Sequence, residues 1–536
     1  MKLCHALVGM SNDRADLKWN GWGWADHTIE IADPVWNWLA GEVGMPALLA
    51  TPARSREDIK IPRSELTSDD LREFADLVGT QSVRISAEER LFHALGRSGT
   101  DLIRLHTGQV SRFPDAVIYP KSAAETAEVL KLCERRCIAA VPFGGGTGQT
   151  GGVSPLRGRF NALAVVDTSL MDKVFGIDKI ARTITVEAGI TGKALERAAN
   201  KASLTTGWAP EDYEFSSVGG LIAQGQLADL LVAAKMETPR GKTHASSLIQ
   251  GSEGILGIVT EVTLRLYPHE ATEECRAFSF PDFSSGISAL RLAKQDGIGV
   301  RGLHLADGKE TWLLGTFSEL CKPPDLLGQL QKKLRGSADE NACTLIADGN
   351  CKSDAWRAFH SVVRTFGGRL RPSETAQRWR KIRSALSYLR EPLLNRGLAV
   401  DCILGEAGWM RIDALHRRVC ESIDKAIRET VPRKGSHGLV CCHIDSCARE
   451  TAILCFFYIY PRTLDDEVAQ CRTVRNAAAD AIVAAGGALT PNGAGTDFVS
   501  HIVRERGAVA EATMRAIKQT LDPTGILNPG KRLSVA

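Results

Sequence analysis

The sequence has no apolar run long enough to cross a bilayer, since its longest strongly apolar stretch, Ala452 to Tyr460, falls far short of the ~20 residues a membrane helix needs. Its start, Met1-Lys2-Leu3-Cys4-His5-Ala6, is too short an apolar run for a secretory signal, and its end, Leu533-Ser534-Val535-Ala536, is not a peroxisomal address. A cytoplasmic location is expected, with membrane contact at most peripheral. There is little net charge: 66 Lys and Arg stand against 63 Asp and Glu, a balance of +3. No basic stripe or recognised nucleic-acid module accompanies that balance, so no nucleic-acid partner is expected, while a small anionic ligand remains compatible. The 14 cysteines form neither a disulfide framework nor a zinc spacing, with Cys133 one helical turn from Cys137 and Cys441 beside Cys442. A reducing compartment and no metal are expected from them. Internal repeats and low-complexity linkers are absent too.

What is present is a glycine loop, Val141-Pro142-Phe143-Gly144-Gly145-Gly146-Thr147-Gly148-Gln149-Thr150-Gly151-Gly152. Consecutive glycines let backbone N–H groups converge on one anionic cluster, which is what a pyrophosphate requires. The loop lacks the lysine of GxxxxGK[ST] and does not open a helix as GxGxxG does, and taken alone it reads equally as a tight structural turn. Its neighbours are informative. Ser122-Ala123-Ala124-Glu125 reads as a capping box opening a helix to about Arg136, with Ala127, Val129, Leu130 and Cys133 on its apolar face. Ile138 to Val141 reads as a buried strand, and Leu163 to Asp167 and Thr183 to Glu187 are strand-like. The loop therefore lies between strands, which argues against a Rossmann site.

At 536 residues the chain is expected to hold two to four structural units. Residues 1–100 contain Trp19, Trp22, Trp24, Trp36 and Trp38 and read as a segment packing on later domains; Val35 to Ala50 lacks the basic face of a membrane-surface helix and is expected to be buried. A unit over 101–270 ends in the alternating strand Thr260 to Pro268, a second over 271–460 mixes helices and antiparallel strands, and 461–536 is mostly helical, with helical spacing over Leu464 to Ala485 and Glu505 to Thr520.

Several ordered motifs then agree. Pro114-Asp115-Ala116-Val117-Ile118-Tyr119-Pro120, the glycine loop, Val166-Asp167-Thr168-Ser169-Leu170-Met171 and Glu187-Ala188-Gly189-Ile190-Thr191-Gly192 resemble the FAD-binding half of the vanillyl-alcohol-oxidase superfamily of FAD-linked oxidases. Lys18-Trp19-Asn20-Gly21-Trp22-Gly23-Trp24, Glu214 to Gly220, Gly251 to Thr260 and Asp522 to Lys531 narrow the resemblance to its alkyldihydroxyacetonephosphate-synthase family. The resemblance implies an α+β fold: a two-subdomain FAD-binding domain over 101–270, an α/β cap or substrate domain over 271–460, and a C-terminal helical segment folding back on the flavin. It implies FAD as cofactor, held by Pro142, Phe143, Gly144, Gly145, Gly146, Thr147 and Gly148 at the pyrophosphate. Glu211, Asp212, Tyr213, Glu214, Phe215, Ser216, Ser217, Gly219 and Gly220 would run along the cofactor, and Glu253, Gly254, Ile255, Leu256, Gly257, Ile258 and Val259 would face the adenine end. A homodimer is implied by resemblance alone.

The family exchanges a fatty acid for a fatty alcohol on a phosphate-bearing substrate without net redox change. Arg390, in Tyr388-Leu389-Arg390-Glu391, matches its phosphate-binding arginine, and a planar, permanently charged fork suits an anionic substrate group; a surface helix ion pair is the other reading. The sequence departs from the family elsewhere. Gly486 to Gly495 carries no histidine where the family has three, Ala448 aligns with its catalytic tyrosine, Gly207-Trp208-Ala209-Pro210 replaces Gly-His-Glu-Pro, and the span from Gly220 to Gly251 is short of two family segments. His443 remains as the catalytic candidate, either a base or an interior histidine without a paired carboxylate. Three readings stay open: a synthase-like flavoenzyme acting on an anionic small molecule, an FAD-linked 2-hydroxy-acid dehydrogenase of glycolate or D-lactate type, and a flavin-fold relative without catalysis. Ser436 to His443 does not reproduce the dehydrogenases' histidine-rich metal motif.

Overall fold

The computed structural model describes residues 16–207, 212–244, 246–269, 273–320, 342–350, 353–489 and 493–533. Glu211, Trp208 to Pro210, Thr490 to Asn492 and both chain ends lie outside the described residues.

Strands β1 (Val83–Arg84), β2 (Ala116–Ile118), β3 (Ile138–Phe143) and β4 (Ala162–Asp167) form one sheet in the order β1-β2-β4-β3. Helix Ala123–Arg136 leads into it. Ser122 caps that helix by accepting the Glu125 N–H at 3.2 Å, and Val129, Leu130, Leu132 and Cys133 form its buried face. β3 and β4 run parallel from Ile138↔Ala162 to Phe143↔Asp167. A parallel pair is usually joined by a helix; here the described residues between Phe143 and Ala162 contain none, and the glycine loop emerges from the end of β3. Both strands are buried on both faces, which explains their unbroken apolar runs.

The next stretch supplies β5 (Val174–Asp178), β6 (Thr183–Glu187), β7 (Leu204–Thr205), β8 (Leu231–Thr238), β9 (Gly241–Thr243), β10 (Ile258–Arg265) and β11 (Tyr267–Pro268). Five of them make an antiparallel sheet, β5-β6-β10-β8-β9, and β7 pairs with β11.

The third sheet contains β12 (Glu273–Phe280), β13 (Arg301–Ala306), β14 (Cys343–Asn350), β15 (Arg369–Leu370), β16 (Leu398–Gly408), β17 (Leu439–Cys447) and β18 (Thr451–Pro461), in the order β15-β12-β14-β13-β17-β18-β16. Every pairing in it is antiparallel. Alternation gives the sheet two different faces. Leu303, Leu305, Cys442, Ile444, Leu454, Phe456 and Ile403 join the core made with helices Phe283–Gln295, Asp354–Thr365, Ile412–Thr430 and Glu467–Ala484. His304, Ala306, Cys441, His443, Cys455 and Cys402 point the other way, and Cys402 reaches Gln149 of the glycine loop at 3.1 Å. The α+β expectation is met, and the apolar stretch Ala452 to Tyr460 is the buried strand β18. Among the described residues no helix is long and apolar enough to cross a membrane.

Two terminal segments complete the frame. Ile526 to Asn528 lies against the free edge of β3, with the Ala140 N–H donating to Ile526 O and the Asn528 N–H to Ala140 O, each at 2.8 Å. The helix expected over Glu505 to Thr520 spans Val499–Leu521 and is broken at Gly507, whose φ of 82° is not helical. Near the start, Trp22 and Trp24 meet the Phe215 ring edge-on at 6.0 and 5.4 Å, while helix Asp33–Glu42 buries Val35, Trp36, Leu39 and Ala40.

Candidate functional site

Three glycine-bearing loops interlock at the end of β3. A β-carbon on Gly144 would lie 2.0 Å from Ser217 Oγ, one on Gly145 2.0 Å from Phe215 O, and one on Gly254 2.7 Å from Pro142 Cγ. The loops can approach this closely only because these three positions carry no side chain. Between the loops lies a cavity of about 90 Å3 lined by Pro142, Phe143, Gly144, Ser217, Gly219, Gly220, Glu253, Gly254, Gly257, Ile258 and Val259. Thr150, Gly152, Val153, Thr168, Ala223, Gln224 and Asn528 complete the wall, and none of these was singled out in the sequence as a site residue.

The residues present fit FAD. Among the described residues no hydrogen bond takes the N–H of Gly145, Gly146, Thr147 or Gly148, so four successive donors stand on a half-buried loop. Such a nest suits a pyrophosphate. Asn528 Oδ1 is buried and has no partner among the described residues, whereas its Nδ2 donates to Gly152 O and Glu253 O at 3.1 and 2.7 Å. One acceptor is thereby fixed at the cavity wall.

Other expected cofactor residues are used differently. Ser216 Oγ donates to Asp212 Oδ2 and shares a hydrogen bond with Thr147 Oγ1, both at 2.7 Å, while Ser217 Oγ caps helix Val218–Gln224. Burial raises the Asp212 carboxyl, opposed by Ser216 and by the Arg390 charge. Tyr213 is buried in the apolar cluster of the second sheet, and Glu214 accepts from Trp24 Nε1 and Lys193. Ile255 and Leu256 belong to that cluster, so their side chains turn away from the cavity. Glu253 accepts the N–H groups of Ala494 and Gly495 at 2.7 and 2.6 Å and pairs with Arg532. Its carboxylate fastens the C-terminal segment instead of facing outward.

Among the described residues Arg390 is engaged otherwise than in a surface helix ion pair. Its guanidinium lies 5.3 Å from the Trp22 ring centroid and donates to Arg97 O at 3.0 Å, and the Arg97 N–H donates in turn to Gly148 O at 2.8 Å. Arg390 is therefore two hydrogen bonds from the glycine loop. Ala448 is in the exposed turn joining β17 to β18, where its N–H donates to Thr451 O.

His443 has a carboxylate partner that its sequence surroundings do not reveal. The sequence showed no paired carboxylate, but His443 Nδ1 is 2.7 Å from Glu310 Oε2, and His304 Nε2 is 3.2 Å from Glu310 Oε1. All three side chains are nearly buried. Burial by itself would raise the Glu310 carboxyl, but the two imidazoles outweigh it and hold the group low; burial and the His443 charge lower His304. The cluster thus holds an ionised carboxylate and a neutral His304. No metal was expected from the sequence, yet these three residues could hold one. Glu310 and His304 were missed because they are 133 and 139 residues from His443, and only the antiparallel pairing of β13 with β17 joins them.

Comparison with known proteins agrees with this geometry. Residues 114–245 match the family described as FAD binding domain, and residues 271–532 match FAD linked oxidases, C-terminal domain. The alkyldihydroxyacetonephosphate synthase of Caenorhabditis elegans is 26% identical, over 95% of this chain and 94% of that protein. A mitochondrial D-lactate dehydrogenase [cytochrome] of Arabidopsis thaliana is 23% identical, over 83% of this chain and 76% of its own length. A solved structure of alkyldihydroxyacetonephosphate synthase superposes with a TM-score of 0.81 at 23% identity, covering 96% of this chain and 99% of that one.

Proposed function

The chain belongs to the FAD-linked oxidases, a family of FAD-dependent enzymes, and we propose that it acts on a small molecule with an anionic group, in the manner of the alkyldihydroxyacetonephosphate-synthase-like branch. The observation that carries this reading is the row of N–H groups from Gly145 to Gly148, unpaired among the described residues, beside a cavity and faced across Gln149 and Cys402 by the polar side of the third sheet. Backbone donors of the glycine loop would hold the FAD pyrophosphate, with Thr147 fixed by Ser216 and Asn528 Oδ1 offered as an acceptor. Bound FAD supplies an electron-accepting centre beside the substrate.

The chain's own residues bind and orient. Arg390, stacked on Trp22 and tied to Arg97, would anchor the anionic group. His443 would handle the proton, with Glu310 orienting its ring through Nδ1 and stabilising its charged form. The histidines and tyrosine of the synthase family have no counterparts at the aligned positions, so proton transfer rests on this pair. We further place the protein in the cytoplasm, with peripheral membrane contact at most, and as a homodimer.

One observation favours a second reading. A buried imidazole held by a carboxylate suits removal of a hydroxyl proton, which a 2-hydroxy-acid dehydrogenase requires. Anaerobic mixing of the flavin-loaded protein with 2-hydroxy acids separates the two. Bleaching of the flavin supports the dehydrogenase, acyl exchange on a phosphate-bearing substrate without bleaching supports the synthase-like reading, and neither activity in fully loaded protein contradicts both.

A further inference from the structure

We propose that His304, Glu310 and His443 form a binding site for one late first-row divalent metal ion. The three residues come from separate elements, His304 from β13, His443 from the adjacent β17, and Glu310 from the first turn of helix Gly308–Leu320. Their ligand atoms all lie within 4.8 Å of one another, and the two imidazole rings are 4.3 Å apart. A tetrahedral ion with bonds of ~2.0–2.1 Å spaces its ligands about 3.3 Å apart, so modest side-chain rotation closes the set. Two imidazole nitrogens and one carboxylate oxygen select zinc and its neighbours over magnesium or calcium, which favour oxygen ligands throughout.

The surroundings of the three ligands are consistent with a cation. Glu310 is 5% exposed and the nearby Asp307 is 7% exposed at the side chain. Among the described residues the ion pairs of Glu310 are with His304 and His443, and that of Asp307 is with His416; neither carboxylate pairs with a lysine or arginine. Carboxylates buried with imidazoles as their ion-pair partners suit a cation held between them. The support around the ligands is rigid. Asp307 Oδ1 accepts the Glu310 N–H at 2.8 Å, Asp307 Oδ2 accepts the Cys442 N–H at 3.1 Å, and the Asp307 N–H donates to Cys442 O at 2.8 Å. One side chain thus fixes the helix bearing Glu310 to the strand bearing His443, the kind of outer contact that orients metal ligands. Trp379 covers the His304 ring at 4.8 Å.

Three protein ligands leave a position for water or a substrate oxygen. The site does not depend on the flavin reading, but when it is loaded the ion, in place of His443, would meet the substrate. The full-length protein is to be stripped with chelator and titrated with Zn2+ alone by calorimetry, with flavin content measured separately. About one Zn2+ per chain is expected in wild type, with affinity lowered at least ~10-fold in Glu310→Gln and in His304→Asn. Uptake by both variants equal to wild type overturns the site, as does a wild type that takes up none. If a variant fails to fold, X-ray absorption on zinc-loaded wild type decides. Nitrogen and oxygen neighbours with imidazole scattering support the proposal, and sulfur neighbours would move the ion to Cys441 or Cys455 and overturn it.

Discussion

Gly145→Ala should cripple FAD binding while leaving the fold in place. The added β-carbon would stand 2.0 Å from Phe215 O, 2.8 Å from Phe215 C and 2.9 Å from Ser216 Cα. Ordinary contact begins near 3.4 Å, so either the loop or residues 215–216 must retreat by about 1.4 Å. Phe215 has little room to yield, being held between Trp22 and Trp24 with its N–H bonded to Asp212 O. The loop therefore moves, and a shift that large carries its N–H groups outside the ~2.7–3.2 Å range of a hydrogen bond. Each bond from an N–H to a charged phosphate contributes about 1.5–3 kcal/mol. Losing two of the four costs about 3–6 kcal/mol, or roughly two to four orders of magnitude in Kd. Gly176→Ala, in β5 and away from the cavity, is the matched control, because nothing lies within 4 Å of its β-carbon position. FAD per chain after purification, and titration of the stripped protein followed by flavin fluorescence, measure the effect. A Gly145→Ala protein with the FAD content and Kd of wild type refutes the cradle.

Asp101 tests the buried charge beneath the loop. Burial first, and then the like charge of Asp497, raise its carboxyl to about 6 against opposition from Ser98, Arg104 and Arg475. Because the folded state holds this proton more tightly than the unfolded state, the group's contribution is fully favourable below pH 4 and is lost as pH rises to 6, by at most roughly 3 kcal/mol. Asp101→Asn should match wild type in acid and exceed it in stability at pH 8 by chemical denaturation; a less stable variant at pH 8 contradicts this. Arg390→Gln should raise the substrate KM by ~10- to 100-fold at unchanged FAD content, since it removes a charged fork and leaves the glycine loop intact. An unaltered KM would remove Arg390 from the substrate site.

The parts of this molecule legible in its sequence are those set by local chemistry. Ser122 announces a helix because a hydroxyl at an N-cap has few other uses, and the glycine loop shows itself because only glycine permits the approach of Gly144 and Gly145 to residues 215–217. Side-chain destinations were less accessible. Glu253 stands in a run of cofactor-facing type, but its carboxylate is taken by Ala494 and Gly495, more than 240 residues away. Asn528 reaches the cavity because its segment adds to the edge of β3, a pairing no periodicity encodes. The pairing of His443 with Glu310 depends on the register Ala306↔His443, which sets two distant strands side by side. A lone histidine in a strand carries no sign of such a partner.

Whether the glycine loop cradles FAD is read from the visible absorption spectrum of the freshly purified protein, with release and identification of its chromophore. A flavin spectrum and close to one FAD per chain are expected, lost in Gly145→Ala and kept in Gly176→Ala. A colourless protein that also fails to take up added FAD would contradict the cradle.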